Sequence, residues 1–191
     1  WKTNEAILNG QGDGVPLGAF QSGAVITVPK DQGQATQTLT LSNLLNMQSR
    51  FMPGSENKGV WIINKSVQAA LYGITWNGMP AFMPIGYQVN LGGSLAQVQR
   101  NTLLGLPVIF SQHPAAFSAQ GDVMLVDLNY YHTITKAGGL QTATSMDLYF
   151  DADAVAFRTT FRMDGQSKIA QPVAPAKGAA TLSPFIQLGA R

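Results

Sequence analysis

Cysteine is absent from the 191 residues, which excludes disulfide staples and thiolate metal sites and leaves the redox compartment open. Charge is scarce as well. Charged residues make up 12% of the chain, about half the usual quarter of a soluble protein, and glutamate occurs only at Glu5 and Glu56. Two explanations fit: a polar surface rich in Gln, Asn, Ser and Thr, or a surface much of which touches other protein, since interface centres are depleted in charge. The net charge of +2 is too small to draw the chain to nucleic acid, and its basic residues are scattered rather than clustered in a run. No apolar run approaches the roughly 18 residues a membrane helix needs, so no membrane partner is expected.

What the chain does hold is apolar mass. A hydrophobic share of 45% supports a substantial core and argues against disorder, and the length suits one domain or one domain plus part of another. The strongest punctuation falls in Asn4–Phe20. Ala6, Ile7 and Leu8 read as the last turn of an apolar helix, after which Gly10, Gly12, Gly14 and Gly18 with Pro16 forbid further helix. Gly10 is expected as a left-handed cap, followed by a flexible connector. The chain opens at Trp1 inside that helix, so a fragment lacking its upstream partner is expected.

Downstream, Ala24–Val28 reads as one short strand ended by Pro29. Leu41, Leu44, Leu45, Gln48 and Phe51 or Met52 recur at helical spacing, with Thr40 or Ser42 as the cap and Pro53-Gly54 as the stop. The run Gly59–Asn64 predicts a strand buried on both faces, and Asn64 or Ser66 caps a short helix through Tyr72. Ile74–Thr102 holds Trp76, Met79, Phe82, Met83 and Tyr87 among glycines and prolines. A loop of this length is functional or docked, and its Met and aromatic residues are either a contact surface or part of the domain's own core. Further strands are expected at Gly105–Phe110, Gly121–Asp127, Tyr130–Thr135, Met146–Phe150 (half-exposed) and Val155–Met163, turned by Asp164-Gly165. Gln171–Ala180 reads as a linker and Ser183–Leu188 as a short apolar tail.

No catalytic constellation assembles. The early glycines follow a helix and lack a closing Lys-Ser/Thr, unlike a phosphate loop. Asp147, Asp151 and Asp153 offer too few ligands for a firm cation site. His113 and His132 have no carboxylate at ligand spacing, and Ser111 lacks a nucleophile elbow.

The order of these features resembles the C-terminal part of a tailed-bacteriophage major capsid protein of the Hong Kong 97 type. The residues that carry the likeness are Asn4–Gly12 with Pro16–Gly18, Trp61–Asn64 with its helix, Leu103–Val108, Gly121-Asp122, Val155–Gly165 and Ser183–Leu188. The resemblance implies an α+β fold: an axial domain, a sheet flanked by helices, plus part of a peripheral domain. It divides the chain into the end of a spine helix and connector (1–38), the axial domain (39–142), a peripheral strand (143–155) and a return with the tail (156–191). Ile74–Arg100 would include the loop nearing a capsomer axis. It implies a non-enzymatic head subunit without cofactors, catalytic residues or metal. Such a subunit joins copies of itself into pentamers and hexamers when full length, encloses DNA, is made in the bacterial host cytoplasm and resides in the virion capsid. Trp76, Met79, Phe82, Met83 and Tyr87 are the expected subunit contacts. An encapsulin-like nanocompartment shell is the alternative, and a small metal-dependent hydrolase using Asp147, Asp151 and Asp153 the remoter one.

Overall fold

Described in a computed structural model are residues 2–91, 94–97 and 100–191, with side chains at all of these except 88–91, 94–97 and 150. Trp1, expected inside the first helix, and positions 92–93 and 98–99 of the axis-nearing loop lie outside the described residues. In chain order the elements are α1 (Lys2–Asn9), β1 (Ile26–Val28), α2 (Leu41–Ser49), β2 (Val60–Asn64), α3 (Gln68–Tyr72), β3 (Thr75–Trp76), β4 (Met79–Pro80) and β5 (Phe82–Met83). They continue as β6 (Gln88–Leu91), β7 (Ser94–Gln97), β8 (Thr102–Leu103), β9 (Leu106–Ser111), β10 (Val123–Val126), β11 (Tyr131–Thr135), β12 (Gln141–Tyr149), β13 (Ala154–Thr160), β14 (Met163–Ser167) and β15 (Phe185–Leu188).

The two most continuous apolar runs, β2 and β10, lie side by side in the middle of a seven-stranded mixed sheet ordered β1-β15-β10-β2-β9-β8-β5. Strands with both faces covered need apolar runs, and Val60–Ile63 of β2 and all of β10 supply them. Trp61, Ile63, Val123, Leu125, Ile186 and Leu188 point to the side of α2 and α3, where they form the larger core with Leu44, Met47, Val67 and Leu71. Ile62, Met124, Val126 and Phe185 point the other way, onto Leu8, Phe20 and Tyr131. The apolar tail expected at Ser183–Leu188 is thus an interior strand: β15 pairs parallel to β1 and antiparallel to β10.

Helix α2 starts in a capping box, in which Thr40 accepts from the Asn43 amide and Asn43 accepts from that of Thr40. Its buried stripe is rotated from the one expected. Asn43, Leu44 and Met47 are buried, whereas Leu45 is 38% exposed. Asn43 is tolerated inside because its amide pairs reciprocally with that of Gln34, at 2.9 Å in both directions, so no polar group is left unsatisfied. In α3 the inward side chains are Val67, which precedes it, and Leu71. Asn64 caps that segment, accepting from the Ser66 amide at 3.0 Å.

The connector after α1 is folded rather than loose. Gln11 bridges to Leu17, and the amides of Ala19 and Phe20 donate to the carbonyls of Ile7 and Leu8 at 2.8 and 3.0 Å. Gly10 is not in the left-handed region. Its requirement is steric: a Cβ there would overlap the carbonyl oxygens of Ala6 and Pro16. Asp164-Gly165 likewise is no turn but the middle of β14, opposite Thr133 and Ile134. At Gly165 a Cβ would stand 2.7 Å from the Tyr131 hydroxyl.

One buried ion pair closes the larger core. Arg191 makes two bonds to the carboxylate of Asp122, at 2.9 and 2.6 Å, and both side chains are inaccessible to solvent. The remaining donors and acceptors are also used. Arg191 Nε donates to the Thr38 carbonyl at 2.6 Å, the Ser118 amide donates to Asp122 at 3.0 Å, and the guanidinium lies over the Phe117 ring.

Candidate functional site

Thr- and aromatic-rich segments favour extended backbone, and β12 and β13 pair antiparallel as a sheet of their own. A β-bulge interrupts the ladder between Ser145 and Tyr149, which twists the tip relative to the base. Every described side chain of β12 is exposed, so the expected half-exposed strand has neither face covered. Phe157 is 80% exposed and Met146 72%, with Leu148, Tyr149, Val155 and Phe161 also open to solvent. A lone two-stranded hairpin is marginal in water, and apolar side chains gathered on one marks a contact site.

The charges on this hairpin are separated by sign. At its base Lys136, Arg158 and Arg162, with Gly139, Gln141 and Thr160, line a shallow cavity of about 150 Å³. The Lys136 amide donates to the Arg162 carbonyl at 3.0 Å, which fixes the two backbones together. Toward the other end stand Asp147, on β12, and at the tip Asp151 and Asp153, the last in a left-handed conformation at φ 49°. Among the described residues none of these charges has an ion-pair partner.

The second exposed region lies in the segment expected to make subunit contacts. Asn77 and Gly78 both have positive φ (53° and 80°), as a type I′ turn requires, and Trp76 pairs with Met79 across it. Trp76, Met79 and Tyr87 are exposed. Met83 is half-buried. Phe82 is 1% exposed and belongs to this chain's own core, edge-on to Tyr72 and Phe110 at 5.3 and 5.9 Å. It therefore leaves the set of candidate contacts. The rest of the segment is a chain of short strand pairs, β3 with β4, β5 with β8 and β6 with β7.

The chemical candidates do not converge. Asp147, Asp151 and Asp153 are spread over β12 and the tip, and among the described residues no group of three His, Asp or Glu is placed to hold a metal ion. His113 does have a carboxylate, contrary to the sequence expectation: its Nδ1 lies 2.6 Å from Glu5 of α1. Asn9 of the same helix donates to the His113 carbonyl at 2.9 Å, so the pair clasps α1 to the loop after β9. Ser111 accepts from the His113 amide at 3.2 Å. Tyr131 has its phenol pushed up from the ordinary value, first by burial and then by the nearby Asp164 charge, and its hydroxyl donates to the Leu17 carbonyl at 2.9 Å. No described helix is long and apolar enough to cross a membrane.

Two signals in the sequence identify what was overlooked. Asn77-Gly78 is the dipeptide that most strongly marks a tight hairpin. Arg158, Thr160 and Arg162 alternate, so on a strand they share one face; scattered charge in the sequence becomes a patch once the period is two.

Comparison with known proteins gives a consistent picture. A profile described as phage capsid family matches residues 1–178. Among solved structures, the chain is similar to the capsid of an empty GTA particle computed with C5 symmetry, at 14% identity and a TM-score of 0.67, covering 100% of this chain and 62% of that one. It is also similar to the capsid of a native GTA particle computed with C5 symmetry, at 14% identity and a TM-score of 0.64, covering 100% and 61%. The chain thus spans about three fifths of the length of these structures. A search of curated proteins returned no match.

Proposed function

Since the chain belongs to the phage capsid family, we propose that it serves as a structural head subunit, whose product joins copies of itself into pentamers and hexamers. These close into an icosahedral shell around DNA. The subunit is made in the host cytoplasm, resides in the virion capsid and performs no catalysis. One observation carries the reading: a family match over nearly the whole chain, on a fold that covers all of it in two capsid structures. The exposed apolar residues and the scarcity of charge support it. A free monomer has no use for Phe157, Met146, Trp76 and Met79 in water, whereas an interface centre is apolar and poor in charge. The mechanism is geometric: many copies bury modest patches, and the cumulative contacts hold the shell even where each is weak.

In this proposal residues 1–38 carry the end of the spine helix and its connector, 39–142 form the axial domain, and 161–191, rather than the 156–191 expected from the sequence, return to it. The peripheral strand proposed at 143–155 extends through the whole of β13, because β12 and β13 are one ladder. Trp76, Met79, Met83 and Tyr87 remain the proposed contacts of the axial side. Sedimentation velocity of the complete gene product tests the reading. Megadalton particles or discrete five- and sixfold oligomers support it, and a product that sediments only as monomer under assembly conditions contradicts it.

A further inference from the structure

The β12–β13 hairpin carries opposite charges at its two ends and an apolar band between them, and among the described residues neither end has an ion-pair partner. Extended backbone rises about 3.3 Å per residue, so the seven residues of β13 hold the tip carboxylates roughly 20 Å or more from Arg162. They are too far apart to pair within one hairpin. From this arrangement, and resting on the shell-subunit reading above, we propose that the hairpin is a head-to-tail contact between copies. The tip of one copy, with Asp151 and Asp153, seats in the basic cavity of Lys136, Arg158 and Arg162 on the next.

Three observations fix the occupant as a second copy. The cavity is small and its lining includes two arginines and a lysine, the residue types that grip a carboxylate by charge-assisted N–H donors. The complementary carboxylates are present on the same chain, exposed and without a partner among the described residues. Met146, Leu148, Val155 and Phe157 lie between the two ends and are exposed; a phosphodiester backbone has no use for them, but a protein interface needs an apolar centre inside a charged rim. A contact whose two halves are different patches is heterologous, and repeated about an axis it closes into a ring. Opposed charges across it select the register and the orientation in which copies meet.

Reversing the charges one end at a time in the complete gene product tests this. Arg158→Glu with Arg162→Glu, or Asp151→Lys with Asp153→Lys, should each lower the yield of assembled particles by about tenfold or more, because like charges then face each other. The chain carrying all four substitutions should recover to within about twofold of the wild type. All of these positions are exposed, so the melting temperature should stay within about 3 °C. A second measurement does not depend on the reversed chains. In this cysteine-free protein, Asp151→Cys with Arg162→Cys places two thiols too far apart for a bond within one chain, since a disulfide needs Cα atoms within about 7 Å. Oxidised particles should therefore give a ladder of linked subunits on a denaturing gel.

Wild-type particles whose yield is unchanged by either reversal, a fourfold variant that does not recover, or an oxidised gel showing monomer alone would each overturn the contact and leave the shell reading standing. Base-reversed particles that assemble normally but lose their nucleic acid would also overturn it, assigning the cavity to phosphate. A wild-type product that forms no particles defeats the shell reading, and this inference with it.

Discussion

Arg191 and Asp122 hold each other where no water reaches either, so each is tolerated only while the other is present. Removing one partner of such a pair costs about 3–5 kcal/mol, because the remaining charge is buried alone. Arg191→Met should lower the urea midpoint by that amount of stability, and Arg191→Met combined with Asp122→Leu should regain much of it. Gly10 gives a second test at this scale. It lacks the positive φ that usually justifies a glycine, whereas Gly14 has φ 66° and nothing near its missing Cβ. Gly14→Ala should cost about 1 kcal/mol for left-handed strain, and Gly10→Ala distinctly more, because backbone oxygens occupy the space. Tyr131 adds a pH dependence. Its phenol titrates above its unfolded value, so its contribution is fully present below about pH 10 and is lost as pH rises through the folded value. The melting temperature of the wild type should therefore fall more steeply above pH 10 than that of Tyr131→Phe. None of these pairings could be read in advance, since Glu5 and His113 are 108 residues apart and Asp122 and Arg191 are 69 apart. Sequence distance hides what the sheet brings together.

Elements whose signal is local were legible. The runs around Trp61–Ile63 and Val123–Val126 are apolar at every position, which only a strand covered on both faces requires. Thr40 was legible as a cap because its mechanism spans three residues; Thr40→Ala should cost about 1 kcal/mol in thermal or urea unfolding. The rotation of α2 was not, since the burial of Asn43 depends on an amide pair with Gln34 that hydrophobic periodicity cannot register. Nor was the role of β15. Three apolar residues and a glutamine after a Pro-rich stretch read as a tail until the sheet order inserts them between β1 and β10. A chain ending at Thr181 would expose both neighbours and lose Phe185, Ile186 and Leu188 from the two cores. It should show no cooperative thermal transition by circular dichroism, whereas a true tail would be dispensable.

For the molecule as a whole, the same scarcity of charge that opened two explanations now has a place to act. The β12–β13 hairpin holds Met146, Leu148, Tyr149, Val155 and Phe157 exposed, and Trp76 and Met79 flank the Asn77-Gly78 turn, while other exposed apolar residues such as Leu45 and Ile109 stand elsewhere. Replacing 141–160 by a short Gly-Ser linker should leave the melting temperature nearly unchanged, because none of the hairpin's described side chains belongs to either core cluster, while abolishing association. The fold class and the family-like order of segments were legible because framework residues repeat their local patterns; which aromatic residues are exposed was legible only in part, because Phe82 and Trp76 look alike in sequence and differ only in what covers them. Electron microscopy of the complete gene product tests the central claim most directly. Closed shells with fivefold vertices, into whose density this fold fits with the hairpin between neighbouring copies, are the predicted result. A field of dispersed monomers under the same conditions would contradict it.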